Sequence, residues 1–152
     1  TLVMVAHPLC PCTRATISEL ELLMARSHGL VETYVLFLKP TGFTDDWIKT
    51  DLWQTADTIP DVTVVEDPDG VEAGRFGAAT SGQAILYDAQ GNLLFSGGIT
   101  GARGHSGDNA GRSAVVSLLN NKAAQNQTPV FGCPLFGTSR VEEGIESCPK
   151  GN

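Results

Sequence analysis

The sequence predicts an α/β fold with a central mixed sheet flanked by helices, in the order β-α-β-α-β-α-β-β-α. A continuous apolar run at Leu2–Ala6, an amphipathic stretch over about residues 13–28 and a second apolar run at 31–39 predict a β-α-β unit. Its two strands should be parallel and its crossover right-handed. Farther along the chain, two strand-like segments at 83–87 and 92–96 flank a glycine-containing turn, which predicts an antiparallel hairpin. Both kinds of strand pairing are therefore expected in one sheet.

Apolar residues at spacings of three and four indicate the first helix, and they are Ile17, Leu20, Leu23 and Met24. The same spacing predicts that Glu19 and Glu21 face solvent. Gly29 follows the pattern and suits the C-cap.

The remaining elements follow from turn and helix-end signals. We expect a second helix over 46–58 that ends before Pro60, a third strand at 62–65, a short helix at 71–76 and a last helix capped by Asp108 or Asn109.

Length and composition limit the possible classes of protein. The 152 residues suit one domain, predicted over residues 1–120, with a C-terminal extension at 121–152 whose apolar segment at 129–136 should pack on that domain. A net charge of −7 argues against a nucleic-acid partner. No apolar run is long enough to span a membrane. A start at Thr1 and the cysteines of the extension favour a periplasmic or other extracytoplasmic location, with a leader or anchor removed.

Four cysteines are the candidate chemical groups, and they are Cys10, Cys12, Cys133 and Cys148. The first two lie where the first strand turns into a helix. The partial positive charge of a helix N-terminus stabilises a thiolate, which then serves as a nucleophile or a metal ligand. For the last two, a disulfide between Cys133 and Cys148 ranks slightly ahead of the alternative that Cys133 resolves a disulfide on Cys10. Connectivity stays open at this point.

The motif Cys10-Pro11-Cys12 before the helix, and the strand-turn-strand segment 83–94 with its pattern apolar-apolar-Asp-x-x-Gly-x-apolar, resemble the thioredoxin-like superfamily. The resemblance covers about residues 2–120 and is nearest to TlpA-like reductases and peroxiredoxin-related proteins. It implies a thioredoxin-like fold and a thiol–disulfide oxidoreductase. Cys10 would be the nucleophile and Cys12 the resolving cysteine. The resemblance also implies a partner protein that carries a disulfide or thiol, and no required organic cofactor.

Two departures from the family pattern affect the site. The motif is Cys-x-Cys rather than Cys-x-x-Cys, so Thr13 occupies the usual resolving position. Gly82 stands where the family has a cis-proline opposite the thiols. A non-proline cis bond costs about 2.5–4 kcal/mol, so we expect a trans peptide there.

The missing proline leaves a second function open, namely a soft-metal binding protein or metallochaperone. Cys10 and Cys12 would then hold copper or zinc together with His7 or His105, since thiolate and imidazole are typical ligands of these metals. A thiol peroxidase is a weaker alternative, because His7 rather than a threonine lies three residues before Cys10. A purely structural role is the fourth.

Other conspicuous side chains have ordinary interpretations. We expect solvated roles for Arg14, Arg103 and Arg112, and packing roles for Trp47 and Trp53. The glycine-rich stretch 101–107 lacks the Lys-Ser/Thr ending of a phosphate loop, which argues against nucleotide binding.

Overall fold

The computed structural model describes residues 1–136, which contain five strands and five helices. In chain order they are β1 (Leu2–Ala6), α1 (Pro11–Arg26), β2 (Thr33–Lys39), α2 (Asp45–Ile48), α3 (Asp51–Asp57), β3 (Val62–Pro68), α4 (Val71–Arg75), β4 (Gln83–Tyr87), β5 (Leu93–Gly98) and α5 (Ala110–Leu119). Within this part of the chain, no helix is long and apolar enough to cross a membrane.

The strands form one mixed sheet in the order β3-β2-β1-β4-β5. β1 pairs in parallel with β2, where Met4 lies opposite Val35, and antiparallel with β4, where Met4 lies opposite Ala84. β2 and β3 are parallel, and β4 and β5 are antiparallel. The predicted α/β class with a mixed central sheet and flanking helices is therefore confirmed. Because β1 is the central strand, the loop after Ala6 begins in the middle of the sheet.

Side chains of β1 alternate between two hydrophobic clusters, one on each face of the sheet. On one face, Leu2, Met4 and Ala6 pack with apolar residues of α1, α2, α3 and α5. On the other face, Val3 and Val5 pack with a smaller set that includes Ala73 of α4 and Leu135 near the end of the described chain. The C-terminal segment thus contributes to the core.

Several element boundaries differ from the prediction for local reasons. α1 begins two residues earlier than expected, because Cys10 is the N-cap residue and Pro11 lies in the first turn. It ends at Arg26 with Ser27 rather than Gly29 as the C-cap, and Gly29 adopts a φ of 71° in the turn that follows. The expected helix over 46–58 is two helices, since Thr50 caps α3 and its hydroxyl donates to the Pro8 carbonyl at 3.3 Å.

Two charged residues expected on the surface are buried together. Glu19 is fully buried and accepts hydrogen bonds from Arg112 and, at 2.6 Å, from the Gly107 backbone N–H. Arg112 is 2% exposed. The expectations of a solvent-facing Glu19 and a solvated Arg112 were wrong, because a helical spacing does not show what the neighbouring helix places opposite. The pair joins α1 to the first turn of α5.

Candidate thiol site

Cys10 lies at the junction of β1 and α1, as the sequence predicts. It has extended backbone angles (φ −79°, ψ 114°) and is the N-cap of α1. Its side chain is buried, with 2% of the residue exposed. The thiol therefore lies beside the unpaired N–H groups of a helix N-terminus and out of contact with most of the solvent.

The sulfur of Cys133 lies 2.8 Å from the sulfur of Cys10. A disulfide bond is about 2.05 Å long, so these atoms are about 0.8 Å beyond bonding distance. Both are free thiols. The predicted staple between Cys133 and Cys148 is thus not the contact that Cys133 makes here. Cys148 itself lies outside the described residues.

Cys133 reaches this position because residues 132–135, which we call the strap, pair with the loop before β4. The Ser81 backbone N–H donates to the Cys133 carbonyl at 2.8 Å, and the Leu135 N–H donates to the Ala79 carbonyl at 2.9 Å. These two bonds surround an antiparallel bridge between Thr80 and Pro134. The strap therefore adds a short strand beside the residues that lie opposite Cys10.

Side-chain and backbone contacts hold the strap at both ends. Arg103, which is otherwise exposed, donates from Nη2 to the Gly132 carbonyl at 3.0 Å, so it is not simply solvated as expected. Gly132 approaches so closely that a Cβ at this position would lie 1.8 Å from the Ser81 carbonyl oxygen. At the other end Leu135 is buried, with 8% exposed.

The two thiols have opposite acidities. Burial disfavours the Cys10 thiolate, but hydrogen bonds from the Cys133 thiol, from the Thr13 hydroxyl and from the backbone outweigh burial and lower the pKa of Cys10. Burial, together with the Cys10 thiolate that its S–H donates to, raises the pKa of Cys133 to about 12. Cys10 is therefore the more acidic thiol of the pair, and Cys133 is its proton-bearing neighbour.

A chain of hydroxyl groups supports the Cys10 thiolate. The His7 backbone N–H donates to Ser81 Oγ at 2.8 Å, and Ser81 Oγ lies 2.7 Å from Thr13 Oγ1. Because Thr13 must donate its only hydroxyl proton to stabilise the Cys10 thiolate, Ser81 is the donor between the two hydroxyls. Thr13 thus acts as a hydrogen-bond donor to the Cys10 thiolate.

The two candidate histidines are not arranged around the thiols. The His7 ring packs edge-on against Trp47, with centroids 5.6 Å apart, and its Nδ1 accepts the Leu9 N–H at 3.2 Å. Burial lowers the pKa of His7, which favours the neutral ring. His105 is exposed in the loop before α5. Across residues 1–136, no three His, Cys, Asp or Glu side chains form a group that could hold a metal ion.

The remaining predicted residues occupy positions around this site. Cys12, in the first turn of α1, is 1% exposed and is not one of the two free thiols. Arg14 is exposed and paired with Asp51, so its predicted surface role is confirmed. Trp47 and Trp53 both pack against the core, as expected.

Gly82 has the trans peptide that its sequence predicts, since residues 1–136 contain no cis bond. Its φ is 90°, and its N–H donates to the Val5 carbonyl at 2.7 Å. A Cβ here would lie 2.9 Å from Thr16 Oγ1. Glycine therefore allows this loop to approach α1 closely with a left-handed backbone.

The sequence did not lead us to Ser81, and it ranked a Cys133–Cys148 disulfide ahead of a contact between Cys133 and Cys10. Ser81 directly precedes Gly82, a position already assigned to the loop opposite the thiols, so its hydroxyl was a detectable signal. The apolar segment around Cys133 indicated packing on the domain, but nothing in the sequence shows where on the domain it packs.

Comparisons with known proteins concern the fold alone. No protein-family model matches this chain, and no curated protein matches it. A solved structure of an uncharacterized conserved protein from Geobacillus kaustophilus is similar, with a TM-score of 0.70 and 16% identity over 91% of this chain and 77% of that one. A hypothetical protein from Sinorhizobium meliloti 1021 gives a TM-score of 0.63 and 21% identity over 88% and 77%. Both similarities support the same arrangement of strands and helices.

Proposed function

We propose that this protein is a thiol–disulfide oxidoreductase of the thioredoxin-like type, with Cys10 as nucleophile and Cys133 as resolving cysteine. One observation carries the proposal: an acidic, buried thiol at a helix N-terminus has a second thiol 2.8 Å away. The order of strands and the position of the cysteine at the end of β1 support the family assignment.

The proposed reaction has two exchange steps. The Cys10 thiolate attacks one sulfur of a partner's disulfide, forms a mixed disulfide and releases the other partner sulfur as a thiolate. The Cys133 thiol then gives its proton to the released partner thiolate and attacks the Cys10 sulfur, which releases the second partner sulfur as a thiolate and leaves a Cys10–Cys133 disulfide. Two electrons pass from the protein to the partner. An external dithiol returns the protein to its reduced form.

The distance between the thiols favours this assignment over a metal site. Two thiolates that bind one zinc ion at about 2.3 Å in tetrahedral geometry lie about 3.8 Å apart. The observed separation of 2.8 Å is closer to a disulfide than to that arrangement. A metal site on these two sulfurs therefore has less support than thiol exchange. A site of Cys10, Cys12 and a histidine also has less support, because the His7 ring packs against Trp47 and His105 is exposed.

Single serine variants assayed for reduction of insulin or of a small model disulfide test the proposal. Cys10→Ser should abolish turnover. Cys133→Ser should accumulate a mixed disulfide with the substrate at Cys10, visible by intact mass. Cys12→Ser should continue to turn over, because Cys12 is not one of the two free thiols. A mixed disulfide trapped in Cys12→Ser would instead assign the resolving step to Cys12.

The same samples test the alternative functions. Full turnover by Cys10→Ser refutes the proposal. Copper or zinc that co-purifies at about one per chain and is lost in Cys10→Ser favours the metal carrier. Peroxide consumption that needs Cys10, without disulfide reduction, favours the peroxidase.

A further inference from the structure

We propose that the strap, residues 132–135, is an internal substrate strand that covers Cys10, so that an external disulfide reaches this thiol only after the strap separates from residues 79–81. The inference deepens the proposed function, because it names what controls access to the same site. The geometry of the strap supports this inference, and its test does not require disulfide-reductase turnover.

The backbone pairing is the first observation. The loop from Ala79 to Ser81 lies opposite the nucleophile and offers one N–H donor and one carbonyl acceptor to a strand running antiparallel to it. The strap uses both groups, through the Cys133 carbonyl and the Leu135 N–H. Another extended segment that carries a cysteine cannot make these bonds while the strap is in place.

Burial of the nucleophile is the second observation. Cys10 is 2% exposed, and the Cys133 sulfur lies against its sulfur. Attack on a disulfide requires the nucleophile to align with both sulfurs of the target, and a partner protein cannot approach in that way through the strap. A partner disulfide can therefore reach Cys10 only after the strap has opened.

Within the described residues, the strap itself makes only a few contacts, which makes opening feasible. Two backbone hydrogen bonds join the strap to residues 79–81, and the Arg103 guanidinium, in the exposed loop before α5, donates a third hydrogen bond. Leu135 supplies the apolar contact, in the smaller of the two hydrophobic clusters. Segments held by few buried contacts open with a lower free energy than the global one.

Gly132 offers a selective way to loosen the strap. A Cβ at Gly132 would lie 1.8 Å from the Ser81 carbonyl oxygen and 2.9 Å from its carbon. Because the obstacle is backbone, Gly132→Ala must displace either the strap or the loop. Gly74→Ala is the matched control, since Gly74 is an exposed position in α4 with nothing within 4 Å of a Cβ.

The experiment measures the rate at which a bulky polyethylene-glycol maleimide modifies Cys10 in the reduced full-length protein, with the modified cysteine identified by peptide mass. Loss of the Cys133 donor also changes the acidity of Cys10, so rates are compared on the high-pH plateau, where Cys10 is a thiolate in every variant. We expect Gly132→Ala to raise the plateau rate by about tenfold or more, and Gly74→Ala to leave it unchanged.

A second variant covers the case in which Gly132→Ala does not fold. Arg103→Gln removes the guanidinium that donates to the Gly132 carbonyl at an exposed site, and it should raise the same rate by a smaller factor. Plateau rates in folded Gly132→Ala or Arg103→Gln equal to that of wild type would overturn the proposal. Because maleimide modification needs no disulfide exchange, this result is separate from any failure of the oxidoreductase assays.

Discussion

The buried pair of Glu19 and Arg112 gives the sharpest prediction about stability. Arg112→Met keeps an unbranched side chain of similar length but removes the charge that faces Glu19. Removal of one partner of a buried ion pair typically costs about 3–5 kcal/mol, because the other charge remains without compensation. Glu19 retains hydrogen bonds from the Gly107 N–H and the Asn109 amide, which places the expected loss near the lower end, about 3 kcal/mol.

Urea denaturation followed by circular dichroism measures this loss, and thermal unfolding should show a midpoint lower by about 6–12 °C. Arg14→Met is the matched control, since Arg14 makes an ion pair with Asp51 in which both side chains are more than 60% exposed. Exposed ion pairs contribute little to stability, so Arg14→Met should lower it much less than Arg112→Met does. The double variant Glu19→Gln, Arg112→Met should recover part of the loss, because no charge remains buried. Equal losses for Arg112→Met and Arg14→Met would refute the argument.

Two further predictions concern the acidity of the thiols. The pKa of Cys10 is lowered and that of Cys133 is raised to about 12, so iodoacetamide should modify Cys10 before Cys133 at every pH from 6 to 9. The rate at Cys10 should reach half its maximum at a pH below the ordinary thiol pKa. Preferential labelling of Cys133 would contradict the assignment. Thr13→Val removes a donor to the Cys10 thiolate, so the midpoint of the thiolate absorbance at 240 nm should move to higher pH. Thr55→Val, whose hydroxyl bonds within α3, should leave that midpoint unchanged.

Local sequence signals were sufficient for most of the fold. The apolar run of β1 and the hairpin strand β4 have the predicted boundaries, Leu2–Ala6 and Gln83–Tyr87, because each is a short buried segment bounded by turn residues. The parallel and antiparallel pairing of the strands, and the helices that flank the sheet, were predicted from the order of the elements. The break between α2 and α3 was missed because it depends on Thr50 reaching the Pro8 carbonyl, a contact between distant parts of the chain.

The candidate site shows the same division between local and long-range information. Cys10 was found because its helix N-terminus is a local feature. Cys133 was named as a partner of Cys10 but ranked behind a disulfide with Cys148, because Cys133 is 123 residues away from Cys10 and its position depends on where residues 132–135 pair. Glu19 was misplaced for a similar reason, since Arg112 comes from a different helix. A sequence pattern places each side chain on an element but does not determine which elements meet.

The strap links the activation of Cys10 to its protection. The Cys133 thiol that lowers the pKa of Cys10 is carried by the segment that covers it, so opening removes a donor as it exposes the sulfur. Cys10 is thus most acidic when least accessible. After opening, the thiolate retains the Thr13 hydroxyl and the helix N-terminus, and these fixed groups must support the attack. When the strap closes again it returns Cys133 to the Cys10 sulfur, which is the geometry that the resolving step needs.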